Sequence, residues 1–258
     1  GANGVILITT KSGQESKLKV EYNMYFQIKA KPSHLDVMDA YDHVLHTWSY
    51  AKSLGDTYAD GVARYYGLGS GNDNHLNDYR NQKTHNYIDD VLRSTYAWNH
   101  DLSVSGGTKS TKYYASVNYT DDQGSVKNSL FRRWGANLKL SQDFTKSLKF
   151  DINALYSKTH AKGGRYDIAT GTYSYDIAAE AYRYRPIDNP LGSGLPADLG
   201  MGSNSADPLF NPIAILDDYV NLQNSYRIGI NAGLTWQLVK GLVARTELYL
   251  SRNWSKVQ

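Results

Sequence analysis

A chain of 258 residues has room for one large domain or two small ones, and 41% apolar with 21% charged residues excludes a chain disordered by composition. The absence of cysteine excludes a disulfide framework and a thiolate metal site, and a net charge of +3, scattered along the chain, leaves no footprint for nucleic acid. No run of about 18 apolar residues occurs, so no transmembrane helix is expected; transmembrane strands, which need only every second residue apolar, remain open. The 22 tyrosines and 5 tryptophans suit a membrane interface, where the ring is apolar and its tip wet, and suit equally a carbohydrate-binding surface or an ordinary β-sandwich. No signal-peptide pattern opens the chain at Gly1, and the sequence reads as part of something longer.

In chain order, Gly1 and Gly4 allow a tight turn, and Val5 to Ile8 form a short β-rich strand. Residues 17–30 alternate with a period of two. Leu18, Val20, Tyr22, Met24, Phe26, Ile28 and Ala30 share one face, against Lys17, Lys19, Glu21, Asn23, Tyr25, Gln27 and Lys29 on the other. Residues 36–54 carry a helical period through Val37, Tyr41, Val44, Leu45 and Trp48, with Asp36 as N-cap and Gly55 as stop. Residues 55–81, rich in Gly, Asn, Asp and Tyr, show no period and read as irregular.

Six more two-residue patterns follow, near 98–106, 111–120, 132–141, 147–157, 225–238 and 242–254. In the apolar sets themselves, which run from Trp134 to Leu140 in the fourth and from Leu242 to Leu250 in the seventh, no position carries Asp, Glu, Lys or Arg. A charge there costs up to about 2–4 kcal/mol in lipid. A sandwich interior excludes charge in the same way, so parity alone leaves both architectures open. Tight connections are expected at Gly106–Ser110, Asp143–Ser147 and Val239–Gly241, and long ones at 31–97, 120–133 and 157–225. The proline-rich 186–212 falls in the last. Such short–long alternation is the habit of transmembrane barrels, and Trp98, Trp134, Trp236 and Trp254 stand near strand ends on the apolar parity, where an aromatic girdle belongs.

The opening GANGVILITTKSG resembles the end of the plug domain in the SusC/RagA-like family of TonB-dependent outer-membrane transporters, on Gly1, Ala2, Gly4, Val5, Ile6, Thr9 and Thr10. The run from Asn99 to Gly107, ending in Ser105-Gly106-Gly107, resembles that family's next signature, a strand and hairpin turn. Asp89 to Arg93, Tyr113 to Gly124, Phe131 to Trp134 and, as a loop before a strand, Asn211 to Ala214 resemble further stretches in family order. The resemblance implies an all-β fold: a transmembrane antiparallel β-barrel, here about seven of about 22 strands, with the last strand of an N-terminal plug. Residues 1–13 would end the plug and 14–258 would begin the barrel, with long outer loops at 31–97 and 157–225. It also implies a location in the bacterial outer membrane, in contact with its lipid. The activity implied is import of glycan or peptide oligomers, driven by TonB through a part not present in this sequence, with a SusD-like surface lipoprotein as lid. Seven strands cannot close a barrel, so the chain alone is not expected to transport.

No enzyme is expected, no catalytic residue is assigned, and no cofactor is implied. His43 and His46 sit three apart on the expected helix, beside Asp39 and Asp42, and read as a solvated loop helix rather than a metal site. Asn72, Asp73, Asn74 and Asp78 miss the EF-hand spacing, and Gly192 to Ala197 fits a loose GxGxxA without a strand-to-helix context. Asn118-Tyr119-Thr120 and Asn253-Trp254-Ser255 are formal sequons without meaning in a bacterial protein. Loop aromatics Trp48, Tyr65, Tyr66, Tyr173 and Tyr175 are candidates for stacking on sugar rings, with packing among the loops as the other reading. The charged residues of the polar parity, Lys139, Lys149, Asp151, Arg227, Arg245 and Glu247, are mixed in sign and favour neither a cationic nor an anionic cargo. The alternative function is a soluble or surface-attached β-sandwich that binds carbohydrate.

Overall fold

The computed structural model describes residues 13–33, 35–69, 73–163, 165–167, 174–187, 211–218 and 222–257. The Gly1 to Thr10 motif and Tyr173 therefore lie outside the described residues, as does most of the proline-rich stretch.

Seven strands form one antiparallel sheet. They are β1 (Ser16–Lys29), β2 (Thr95–Gly107), β3 (Thr111–Gln123), β4 (Leu130–Asp143), β5 (Leu148–Lys162), β8 (Leu222–Val239) and β9 (Leu242–Val257). Each pairs with its neighbour in this order, so among the described residues β1 and β9 pair on one side only and the sheet is not closed. The short β6 (Arg165–Asp167) and β7 (Ser174–Asp176) pair with each other inside the last long connection.

The register is what the period of two requires. Val20 stands opposite Val104, which stands opposite Ala115, which stands opposite Leu138. Leu138 continues to Ala154, Ile230 and Leu250. A one-residue slip in any pair would have put an apolar set on the polar face. All seven apolar sets instead fall on one face.

That face is uncovered. Even on the central strands Leu138 is 49% and Leu234 43% exposed, and no second sheet faces it among the described residues. A sandwich would have buried these side chains against a facing layer. A contiguous apolar surface of this size implies an apolar surrounding. From Tyr226 to Trp236, β8 runs about 33 Å at ~3.3 Å per residue. Tilted by about 40°, that is a height of about 25 Å, the apolar band of an outer-membrane barrel.

The turns explain one end of the sheet. Between β8 and β9 the chain reverses at Lys240-Gly241, and Gly241 has φ +91°, a conformation that side-chain-bearing residues rarely adopt. Between β2 and β3, Thr108 N–H donates to the Thr111 carbonyl at 2.7 Å, and Thr111 N–H donates to the Thr108 hydroxyl at 3.1 Å. Asp143 N–H bonds the Ser110 carbonyl and Gln237 N–H the Ser147 carbonyl, each at 2.7 Å, so adjacent turns are tied together.

At the other end the connections fold into a cap. The chain after β1 forms α1 (Ala40–Leu54), α2 (Asp56–Tyr66), a 3₁₀ helix (Asp73–Asn81) and α3 (Tyr87–Val91). The chain after β5 supplies α4 (Ile177–Arg183) and α5 (Pro212–Asp218). One core gathers Ala40, Val44, Trp48 and Ala51 of α1 with Val62, Tyr65 and Tyr66 of α2, joined by Leu76, Tyr79 and, from the distant second connection, Ile187. A second core joins Ile88 and Val91 of α3 to Ile177 and Ala181 of α4 and Leu216 of α5.

Several expectations are corrected here. Helix α1 starts at Ala40 rather than after Asp36, because Asp39 is the cap: its carboxylate accepts from Asp42 N–H at 2.8 Å. Gly55 does end it, at φ +122°. Residues 55–81 are not irregular. They hold α2, closed by a left-handed Gly67, and the 3₁₀ helix. Asn211 to Ala214 is not a loop before a strand but the start of α5, with Pro212 in the first turn and the Asn211 side chain accepting from Ile213 N–H at 2.9 Å. The expected long connection at 120–133 is short, at 124–129, because β3 and β4 continue through its polar flanks. Short and long connections therefore do not alternate without exception.

Candidate functional site: the polar face and the cap

The Ser105-Gly106-Gly107 stretch sits where the chain entering β1 crosses the end of β2. A Cβ on Gly106 would come within 2.6 Å of the Tyr113 hydroxyl, and one on Gly107 would collide with the Thr111 carbonyl and stand 3.0 Å from the Gln14 carbonyl. Gly13 likewise abuts the Tyr113 backbone. Close approach of backbones thus demands glycine at Gly13 and Gly107, whereas at Gly106 the obstacle is the tip of the Tyr113 side chain; Ser105, paired with Lys19 and Tyr114, keeps the adjacent position small.

On the apolar face the loop ends of the strands carry an aromatic row. Phe26 meets Trp98 with ring centroids 4.3 Å apart, Tyr119 meets Trp134 at 4.3 Å, and Tyr226 stacks on Trp254 at 5.2 Å. Charge begins at the edge of this row. Arg132 pairs with Asp121 at 3.0 Å, Lys158 lies over the Tyr226 ring, and Arg252 over Trp254. Trp236 stands at the opposite, turn end, facing Leu148. Aromatic rings flanked by cations at the rim of an apolar band are the arrangement of a membrane–water interface.

The polar face carries small and hydrogen-bonding residues. Asn99 donates to Thr120 at 2.9 Å and Asn137 to Asn153 at 3.2 Å. Two grooves run along it. The turn-end groove, about 450 Å³, is lined by Gly13, Lys112, Lys139, Lys149, Asp151 and Arg245 among others. Two of its cations pair within strands, Lys149 with Asp151 at 3.2 Å and Arg245 with Glu247 at 2.5 Å. The loop-end groove, about 660 Å³, is lined on this face by Asn118, Arg133, Asn137, Ser157, Arg227 and Asn253 among others. Gly135 forms its floor, since a Cβ there would run into the Asn118 side chain.

The stacking candidates in the cap are not presented to a ligand. Trp48, Tyr65 and Tyr66 are 2%, 5% and 1% exposed and belong to the first core. The Tyr65 and Tyr66 rings meet edge to face at 4.9 Å, Tyr66 meets Tyr79 in the same way, and Lys52 covers the Trp48 ring. Packing among the loops is what these aromatics do. Tyr175 lies in β7. Burial pushes the Tyr65 and Tyr66 phenols up. His43 is held down at about 4 by burial first, then by His46 and Arg185. It faces the Tyr66 hydroxyl at 3.3 Å, so it is a packed neutral ring and not a solvated one. No cluster of three metal-ligating side chains occurs among the described residues.

No protein-family model matches the chain. It is 27% identical over 250 residues to TonB-dependent receptor P3 of Formosa agariphila, covering 95% of this chain and 22% of that protein. It is 34% identical over 159 residues to TonB-dependent receptor SusC of Bacteroides thetaiotaomicron, covering 60% of this chain and 14% of that protein. The chain thus spans about a fifth or less of the length of these relatives. Solved structures of the RagAB peptide importer share the fold. The closed-closed state matches with a TM-score of 0.65 at 16% identity over 96% of this chain and 29% of that one. The open-open state matches with 0.63 at 18% over 99% and 30%. The chain is thus similar in sequence to TonB-dependent receptors, SusC among them, and shares its fold with part of the RagAB importer.

Proposed function

We infer that this chain forms seven consecutive strands of the barrel wall, together with part of the outer cap, in an outer-membrane receptor that imports nutrient oligomers. Residues 1–13 end the plug and 14–258 belong to the barrel, with the connections 30–94 and 163–221 facing outward. The observation that carries this reading is the seven-stranded sheet with one uncovered apolar face and one polar face, and an aromatic row along its loop end. Energy comes through TonB acting on the plug, and a SusD-like surface lipoprotein closes the mouth above the cap. The cargo is a peptide or glycan oligomer: the RagAB neighbours are peptide importers, and the family resemblance extends to glycans. The test uses the complete receptor in its own cells. It is expected in the outer-membrane fraction, extracted only by detergent, in company with a lipoprotein, and required for uptake of an oligomer that stops when TonB is removed. Recovery in the soluble fraction without detergent, or uptake indifferent to TonB, would contradict it.

A further inference from the structure

Resting on that import reading, we propose that the loop-end groove of the polar face is a carboxylate-binding subsite for the cargo, built on Arg133 and Arg227. Four pairs of charges elsewhere on this face neutralise each other: Lys19 with Glu21, Lys29 with Asp122, Lys149 with Asp151, Arg245 with Glu247. Among the arginines of this face, Arg133 and Arg227 are the exception. Both are exposed, both line the groove, and among the described residues no hydrogen bond or ion pair engages either guanidinium.

Their placement suits one ligand. Arg133 stands opposite Thr159, which stands opposite Ser225, and Arg227 is two residues further along β8. That puts their Cα atoms about 12 Å apart, at ~4.8 Å per strand and ~3.3 Å per residue, a span two arginines can close on one carboxylate. Carboxylates on this face do not compete. Asp122 is held by Lys29 and Glu247 by Arg245, while Asp101 stands opposite Asn118, two strands from Arg133 and four from Arg227. Asn118, Ser157 and Asn253 surround the two cations with neutral hydrogen-bonding groups that suit an oligomer's amides or hydroxyls.

The groove also lies at the right end. Gly13, through which the chain enters the sheet, lines the turn-end groove, so a plug joined there would meet that groove, where Lys149 and Arg245 already hold carboxylates. Arg133 and Arg227 lie towards the loop end, where cargo arrives from outside. Two uncompensated guanidiniums at an entrance attract an anion and bind it by charge-assisted, bidentate hydrogen bonds. The same chemistry would hold the carboxylates of a peptide or of a uronic-acid glycan.

The experiment uses the complete receptor, with its lipoprotein, in detergent. Binding is measured for an acidic oligopeptide and its fully amidated counterpart, and for an oligogalacturonate and its methyl ester. One of the two acid probes is expected to bind about tenfold or more tightly than its neutral counterpart, which names the source of the carboxylate. In R133Q/R227Q that ratio should fall to about one, with the heat-induced mobility shift of the receptor unchanged. R133K/R227K should keep most of it, and raised salt should erode it. A ratio near one in the unmodified receptor, or a ratio unaltered in R133Q/R227Q, overturns the subsite while leaving import intact. Failure of all four probes to bind overturns the import reading and the subsite with it.

Discussion

At the scale of residues, position on the two-residue period decides what a substitution does. Leu138 and Ile230 lie mid-band on the uncovered apolar face. Leu138→Arg should therefore cost about 2–4 kcal/mol of unfolding free energy in a bilayer. Asn137→Arg, one residue away but on the polar face, should cost under about 1 kcal/mol. Denaturant unfolding of the receptor in lipid vesicles separates the two, and equal costs would deny the lipid exposure of Leu138. Gly107 tests a different constraint. With the Thr111 and Gln14 carbonyls crowding the site of its missing Cβ, Gly107→Val should destabilise by about 1–3 kcal/mol or block assembly, while Thr108→Val in the same turn, losing hydroxyl contacts to Ser110 and Thr111, should cost no more than about 1 kcal/mol. The yield of folded receptor in the outer membrane reads this directly.

At the scale of elements, the cap has cores of its own, built by its helices packing on one another. Its first core depends on Trp48, so Trp48→Ala should loosen α1 and α2 by about 3–5 kcal/mol. Amide hydrogen exchange should rise there and stay unchanged in β3 to β5. The same core is sensitive to acid. Because burial holds His43 at about 4, below its ordinary 6.5, the unfolded cap binds the proton more readily than the folded one. The full stability is present above pH 6.5 and is lost as pH falls towards 4, by an amount on the order of 3 kcal/mol. Exchange in α1 should accelerate over that interval, and His43→Gln should flatten the dependence.

What was legible at this scale followed from periodicity. The seven strands announce themselves because lipid excludes charge from every second residue. The period fails beyond the aromatic row, where Asp121 and Arg132 take the apolar parity and pair with each other while hydrogen bonding between β3 and β4 continues. That is why the connection at 120–133 reads too long. Helix α2 was hidden because Asp, Thr, Tyr and Gly are indifferent helix formers, and packing of Val62, Tyr65 and Tyr66 against α1 holds it instead. The Asn211-Pro212 start of α5 was readable as a cap followed by a first-turn proline, and the likeness to a loop masked it. Trp48, Tyr65 and Tyr66 are buried in a core that draws on α1, α2, the 3₁₀ helix and, from far away in the chain, Ile187, a gathering no local period announces. The two unpaired arginines were visible only once the register showed which other charges neutralise each other.

At the scale of the whole molecule, one claim carries the rest: the uncovered face meets lipid and the other face meets water. The chain has no cysteine, so single cysteines can be placed at will. The most direct measurement substitutes them one at a time from Ile228 to Trp236 of β8 in a receptor otherwise free of cysteine, attaches a fluorophore and reconstitutes the protein in a bilayer. Quenching is then read with a lipid-borne and a water-borne quencher. Ile228, Ile230, Ala232, Leu234 and Trp236 should respond to the lipid quencher, and Gly229, Asn231, Gly233 and Thr235 to the aqueous one, in strict alternation. Protection of the first set from both quenchers would mean that protein covers that face, and would contradict the account.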